Sequence, residues 1–127
     1  MSVAIRFAPV SALPSLLEEI ARDGLARAAI DGATIKDGPD LLAALGRALS
    51  FPAYYGQNWD AAEECLRDLG EGHPKGCALI VDHARDLWQR QPRKMGQLTS
   101  IWLAASEAAA VPLRLIFLLD GERAARS

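Results

Sequence analysis

The sequence predicts an α/β fold in which a small parallel sheet is covered by helices. The continuous apolar run CALIVD (residues 77–82) is typical of a strand that is buried on both faces, and LRLIFLL (residues 113–119) is predicted to be a second buried strand. The segments between the apolar runs are long and carry helical spacing, which suits crossover connections between parallel strands. Such crossovers are expected to be right-handed.

The first half of the chain alternates strand and helix signals. Residues 3–7 (VAIRF) are expected to form a short strand. Apolar residues at helical spacing predict an amphipathic helix over residues 13–22, and Asp23-Gly24 supplies its C-terminal cap. Residues 25–30 (LARAAI) are predicted as a strand that runs into a turn, and residues 40–49 as a helix with its leucines on one face.

The second half repeats this alternation. Phe51-Pro52 ends the preceding helix, and Asn58 is a good N-cap for a helix over residues 59–69. Further predicted elements are a strand (77–82), a helix (83–91), a second helix (95–110) and a final strand (113–119).

The role of the first 24 residues stays open. They are expected to join the sheet, to cover its edge or to pair with a second copy of the chain. We therefore divide the chain into an N-terminal extension (1–24) that adds a possible strand and helix, a main domain (25–121) and a short charged tail (122–127).

Composition limits the possible functions. A chain of 127 residues is the size of one domain, and a net charge of −2 gives no support to nucleic-acid binding. No apolar run approaches the roughly 20 residues of a membrane span, and no signal peptide is visible, so we expect a cytoplasmic protein without membrane contact. The oligomeric state is not determined by the sequence, and a monomer is favoured.

Cysteines and histidines give no sign of a metal or cofactor. Cys65 and Cys77 are expected to be reduced, apolar core residues rather than a disulfide pair. The spacing of these cysteines with His73 and His83 matches no zinc pattern. We therefore predict neither a metal site nor a cofactor.

The segment FPAYYGQNWDAAEECLRDL (residues 51–69) carries the most unusual chemistry. In a helix capped by Asn58, the small and apolar residues form a core face at i, i+3, i+4 and i+7: Ala62, Cys65, Leu66 and Leu69. The charged residues fall on the opposite side: Asp60, Glu63, Glu64, Arg67 and Asp68. A solvated helix face would explain the charges alone, but Tyr54, Tyr55 and Trp59 place aromatic surface beside them, as in a protein-binding hot spot.

This segment resembles the signature of the barstar family, the intracellular inhibitors of barnase-type ribonucleases. The resemblance rests on Tyr54-Tyr55-Gly56-Gln57-Asn58-Trp59-Asp60-Ala61, on Glu64-Cys65-Leu66, and on the proline at position 52. It extends more weakly from about Leu25 to about Asp120. The resemblance implies an α/β fold with a three-stranded parallel sheet and about four helices, and the extension is a candidate for one further strand and one further helix.

The resemblance also implies a function and a set of binding residues. The protein would dock an acidic helix and an aromatic loop into the basic active site of a barnase-type ribonuclease, as an immunity protein or antitoxin. The residues implied to bind the partner are Tyr54, Gly56, Asn58, Trp59, Asp60, Glu63, Glu64 and Arg67, with Asp60 and Glu64 as phosphate mimics. The protein would not itself be an enzyme, and it would have no catalytic residues.

Several departures from the family pattern concern the identity of the partner. Glu64 stands where the best-known inhibitor has the shorter aspartate, Glu63 replaces an aromatic residue, and Leu69 or its neighbours replace another. Glu107 matches a further family acid only loosely. A barstar-like interaction module with a non-ribonuclease partner is therefore the alternative, and a small hydrolase would instead need its acids inside a concave pocket.

Overall fold

The computed structural model describes residues 4–52 and 55–120 as an α/β domain with nine regular elements. The strands are β1 (Ile5–Pro9), β2 (Ala26–Asp31), β3 (Cys77–Asp82) and β4 (Leu113–Leu119). The helices are α1 (Leu13–Arg22), α2 (Gly38–Ala48), α3 (Trp59–Arg67), α4 (Ala84–Arg90) and α5 (Pro92–Ala108). Short 3₁₀ turns follow β1, β2 and α3.

The four strands form one parallel sheet in the order β1-β4-β3-β2. The expectation of three strands and about four helices is corrected here: the described residues contain four strands and five α-helices. The additional strand and helix are β1 and α1, both from residues 1–24. Of the three roles considered for the extension, the structure shows β1 joining the sheet beside β4, with Ile5 paired to Leu115.

The larger core lies on the sheet face that α2, α3, α4 and α5 cover. Strand β3 is buried along almost its whole length, as its continuous apolar sequence predicts. Trp102 of α5 is fully buried and donates its Nε1–H to the carbonyl oxygen of Leu113 at 3.2 Å. Phe7 of β1 stacks on Phe117 of β4, with 5.0 Å between ring centroids, so the edge strand also packs onto this face.

The second face of the sheet packs against α1. Leu16 and Ile20 are 1% and 3% exposed, and they cluster with Ile80 and Ile116 of the central strands. Two ion pairs border this contact, Arg6 with Glu19 at 3.3 Å and Arg114 with Asp23 at 2.9 Å. The extension therefore covers an apolar surface that the sheet would otherwise expose.

The loop between β2 and α2 is fixed by side chains from the far half of the chain. Arg90 donates to the carbonyl oxygens of Ile35 at 2.7 Å and Gly32 at 3.0 Å, and Gln91 donates to that of Lys36 at 2.8 Å. The Asp37 side chain accepts from the backbone N–H of Asp40 and caps α2. These contacts set the position of α2, the helix that leads into residues 51–58.

The carboxyl ends of β2 and β3 are joined by a side-chain contact that predicts acid sensitivity. Asp31 Oδ1 accepts the backbone N–H of Ala33 at 3.0 Å and lies 2.8 Å from His83 Nδ1. The hydrogen bond from Ala33, followed by that of His83, lowers the pKa of Asp31 below its ordinary value of 3.8. The folded carboxyl group therefore holds its proton less tightly than the unfolded one, so ionised Asp31 contributes to the free energy of unfolding. This stabilisation is complete above pH 3.8 and is lost as the pH falls through the lowered pKa.

We expect Asp31→Asn to reduce the loss of stability in acid. Urea unfolding measured from about pH 2 to 6 should show a shallower acid limb for this variant than for the unmodified protein. Glu18→Gln, an exposed substitution on α1, is the control and should leave the acid limb unchanged. Identical acid limbs for Asp31→Asn and the unmodified protein would contradict the assignment.

Candidate functional site

In the segment singled out in the sequence, the described residues 51–52 and 55–58 precede a short helix on the surface. We call residues 51–58 the contact loop. The Asn58 side chain accepts from the backbone N–H of Ala61 at 2.8 Å, which confirms it as the N-cap of α3. Gly56 and Asn58 are exposed, while Tyr54 lies outside the described residues.

The buried face of α3 is the predicted one. Ala62 and Leu66 have no exposed surface, Cys65 is 7% exposed and Leu69 is 6% exposed. Trp59, predicted as an apolar contact at the start of the helix, is partly buried and packs against the larger core. Only part of its ring surface is therefore open to solvent.

The outward face of α3 carries the predicted charges. Asp60 and Glu64 are exposed and stand four residues apart, so their side chains are neighbours on the helix surface. Asp68, which caps the end of the helix and donates its N–H to the Glu64 carbonyl oxygen at 3.2 Å, continues this spacing. We call Asp60, Glu64 and Asp68 the acidic stripe.

Glu63 and Arg67 lie beside the stripe and pair with each other. Their side chains meet at 3.4 Å, with 31% and 41% of their surfaces exposed. An exposed i,i+4 pair of this kind contributes only a few tenths of a kcal/mol, so it can open without a large cost. In the unbound protein this pair offsets the charge of Glu63 and leaves the carboxylates of the acidic stripe as the most exposed acids of this face.

Tyr55 anchors the contact loop to α2. Its hydroxyl donates to the carbonyl oxygen of Leu42 at 3.0 Å, and its ring meets Phe51 edge to face at a centroid distance of 4.8 Å. Burial, and secondarily the nearby Cys65 thiol, raises the pKa of Tyr55 to about 12. Tyr55 is thus a structural residue that ties the loop to α2.

Gly46 of α2 makes room for the Tyr55 ring, which the sequence pattern did not reveal. A Cβ atom at residue 46 would lie 2.9 Å from Tyr55 Cε2, whereas one at Gly96 in α5 would meet nothing within 4 Å. We expect Gly96→Ala to stabilise the protein by about 0.5–1 kcal/mol, because alanine suits a helix interior better than glycine. Gly46→Ala should gain less or lose stability and should displace the Tyr55 ring.

Urea unfolding and the NMR shifts of the Tyr55 ring protons measure both effects. Each variant is the control for the other, since the change in helix propensity is the same and only the space differs. An equal gain for the two substitutions, with unchanged Tyr55 shifts, would show that Gly46 is not needed to seat the ring.

Two clefts flank Phe51-Pro52. The first, which we call the α3 cleft, has a volume of about 170 Å³ and is lined by Leu49, Ser50, Phe51, Pro52, Cys65, Asp68, Leu69, Glu71, Gly72 and His73. The second, of about 230 Å³, is lined by Ala43, Gly46, Arg47, Phe51, Pro52, Tyr55 and Gln57. Neither is lined by Asp60, Glu63 or Glu64, so these acids lie outside both concave surfaces.

The other residues considered as candidates in the sequence are the cysteines, the histidines and Glu107. Cys65 and Cys77 are free and buried, as predicted. Burial raises the pKa of the Cys77 thiol to about 11. The pKa of the Cys65 thiol is raised by burial first and then by the nearby carboxylates of Glu64 and Asp68. Within residues 4–52 and 55–120, no three histidine, cysteine, aspartate or glutamate side chains are grouped to hold a metal ion. Glu107 is exposed on α5.

The structure thus defines a small α/β domain with a parallel sheet and an acidic helix exposed beside an aromatic loop. The family model for Barstar (barnase inhibitor) matches residues 25–119. The chain belongs to the barstar family, which confirms the resemblance seen in the sequence. The match begins at the residue before β2, so β1 and α1 lie outside it. None of the curated proteins compared with the chain matches it significantly. In the described part, no helix is long and apolar enough to cross a membrane.

Proposed function

We propose that this protein inhibits a barnase-type ribonuclease by docking α3 and the contact loop onto the active site of the enzyme. The observation that carries the proposal is the exposed pair Asp60 and Glu64, four residues apart on the outward face of a helix that the contact loop precedes. Membership of a family described as barnase inhibitors supports it. Gly56, Asn58 and Trp59, together with Tyr54, would complete the contact.

Charge mimicry explains how such a surface would inhibit. A ribonuclease holds the phosphates of RNA with cationic side chains, and carboxylates at matching positions would occupy the same sites. Asp60 and Glu64 would enter the complex with little rearrangement, since their backbone is already fixed by the Asn58 cap and the buried face of α3. Complementary fields would also speed association and make it sensitive to salt.

The same geometry argues for a binding protein rather than an enzyme. Acid–base catalysis needs a carboxyl group inside a site that orients a substrate, and Asp60, Glu63 and Glu64 lie outside both clefts described above. We place the protein in the cytoplasm, where it would bind a secreted or toxin-type ribonuclease one to one before that enzyme leaves the cell.

The test is a titration of a barnase-type ribonuclease with this protein, with cleavage of a fluorogenic RNA as the readout. We expect activity to fall linearly to zero at one equivalent, and the association rate to fall as salt is added. Full activity at a large excess of the protein would contradict inhibition of that enzyme class. Inhibition that does not depend on salt would contradict charge mimicry.

A second function is favoured by two residues of α3 and the turn after it. Leu69, near the position of a family aromatic residue, is 6% exposed and belongs to the core, while Glu63, at another such position, is held by Arg67. The docking face therefore offers less apolar area than the family pattern implies. A barstar-like module with a non-ribonuclease partner fits this smaller apolar area. Such a module would keep the same acidic face but would leave the ribonuclease activity unchanged throughout the titration.

A further inference from the structure

The α3 cleft borders the docking face at the end of α3, beside Leu69. It opens between the start of the contact loop and the end of α3 and has a volume of about 170 Å³. Its apolar lining comes from Leu49, Phe51 and Leu69, and its charged lining from the exposed carboxylates of Asp68 and Glu71. Such a cleft combines an apolar wall with an anionic rim.

The cleft is continuous with the acidic stripe. Asp68 is both the last residue of the stripe and a lining residue of the cleft. Cys65 also lines the cleft, and the pKa of its thiol is raised by burial and then by the negative charges of Glu64 and Asp68. Both carboxylates therefore lie close to the Cys65 side chain. Carboxylates therefore extend from Asp60 at the start of the helix to the cleft at its end.

The acidic rim has few side chains of opposite charge in the lining. No lysine or arginine is among the described residues that line the cleft, and the imidazole of His73 is the one other basic group there. Arg67, next to Asp68 in sequence, pairs with Glu63, and the Lys75 side chain lies against Gly24. The negative charge at the mouth is thus available to a cation from outside.

We propose that the α3 cleft receives one long cationic side chain, arginine or lysine, from the docked partner. The aliphatic stem would lie on the leucine and phenylalanine surface, and the charged head would meet Asp68 and Glu71 at the rim. This inference rests on the proposed docking face, which it extends beyond Asp60 and Glu64. It makes Asp68 and Glu71 specificity residues that select partners with a cation at this position.

The rim is held in place before binding. The turn that follows α3 carries backbone hydrogen bonds from Glu71 to Asp68 at 3.0 Å, from Gly72 to Leu69 at 3.1 Å and from His73 to Leu69 at 2.9 Å. A fixed rim lowers the ordering cost of binding, which strengthens the contact with an incoming cation.

The first experiment uses the protein alone and needs no ribonuclease. Nα-acetyl-arginine amide and the matching lysine amide are titrated while the amide signals of Leu69 to His73 are followed by NMR. Nα-acetyl-citrulline amide, a neutral isostere of the arginine probe, is the control. We expect saturable shifts with at least one cationic probe, at an affinity about tenfold or more above that of citrulline.

Two matched double variants locate the binding. Asp68→Asn with Glu71→Gln should abolish the preference for the cation, whereas Asp60→Asn with Glu64→Gln should retain it. Circular dichroism checks that both variants fold. Equal binding of citrulline and the cationic probes, or a preference that survives Asp68→Asn with Glu71→Gln, would overturn the proposal.

The second experiment uses a barnase-type ribonuclease and the variant Asp68→Asn with Glu71→Gln. This variant should bind the enzyme at least tenfold more weakly, because the cation in the cleft loses its partners, whereas Glu18→Gln on α1 should leave the affinity unchanged. Unchanged affinity of Asp68→Asn with Glu71→Gln in a stable complex would overturn the cleft proposal while the docking proposal stands. Arginine binding without any ribonuclease complex would keep the cleft and reject the enzyme as its partner.

Discussion

Replacing Asp60 and Glu64 together with alanine should abolish inhibition of a barnase-type ribonuclease at equimolar protein. Both side chains are exposed, so folding should be nearly unaffected. In the complex each would face a cation that is removed from water, and truncating one member of such a pair costs roughly 2–5 kcal/mol of binding energy. Each substitution should therefore weaken binding by at least about thirtyfold, mostly through faster dissociation.

The matched control is Glu18→Ala on α1, a helix that packs on the opposite face of the sheet. It also removes one exposed carboxylate and should leave the affinity unchanged apart from a small effect on association. Isothermal titration measures the affinity, and stopped-flow mixing measures the association rate, so the two effects can be told apart. If the Asp60, Glu64 double variant binds the ribonuclease as tightly as the unmodified protein, the docking face lies elsewhere.

Replacing Leu16 and Ile20 together with alanine should have the largest effect on folding. Each side chain is almost fully buried between α1 and the sheet, and a buried leucine or isoleucine cut to alanine costs about 2–5 kcal/mol. The two losses together are comparable with the total stability of about 5–15 kcal/mol of a typical domain. Thermal unfolding followed by circular dichroism should show a much lower midpoint or no folded baseline.

Ser15→Ala, an exposed substitution on the same helix, is the control and should shift the midpoint very little. This experiment also tests the division of the chain at residue 24. We expect a single cooperative transition, because β1 and α1 share the sheet and its second core with the rest of the chain. A variant that loses α1 but keeps a folded remainder would show that the extension is a separate unit.

The two central strands were the most predictable strands. The predicted ranges 77–82 and 113–119 match β3 and β4 residue for residue, because apolar residues dominate strands that are covered on both faces. The two edge strands shifted: β1 was predicted at residues 3–7 and lies at Ile5–Pro9, and β2 was predicted at 25–30 and lies at Ala26–Asp31. The predicted helix 13–22 matches α1, whereas α5 begins at Pro92 rather than residue 95, because proline suits the first turn of a helix. The side of the sheet on which β1 would pair was not predictable, because strand order depends on contacts between distant residues.

The site was predictable where it follows from local sequence. The Asn58 cap and the two faces of α3 are set by helical spacing, and the structure confirms them. The seat of Tyr55 over Gly46 and the α3 cleft arise where α2, the contact loop and the turn after α3 meet. No periodic pattern encodes such a junction. For the α3 cleft, the sequence offered one indication: the acidic residue Glu71 follows shortly after the acidic helix.

The strand order has a consequence for how the chain reaches its active form. Of the four described strands, β1 comes first along the chain, yet its neighbour in the sheet is β4, which comes last. Pairings between such distant residues slow folding, because a long loop must close before they form. We expect the sheet to be completed only after β4 has left the ribosome, so that the apolar face under α1 stays incomplete until then.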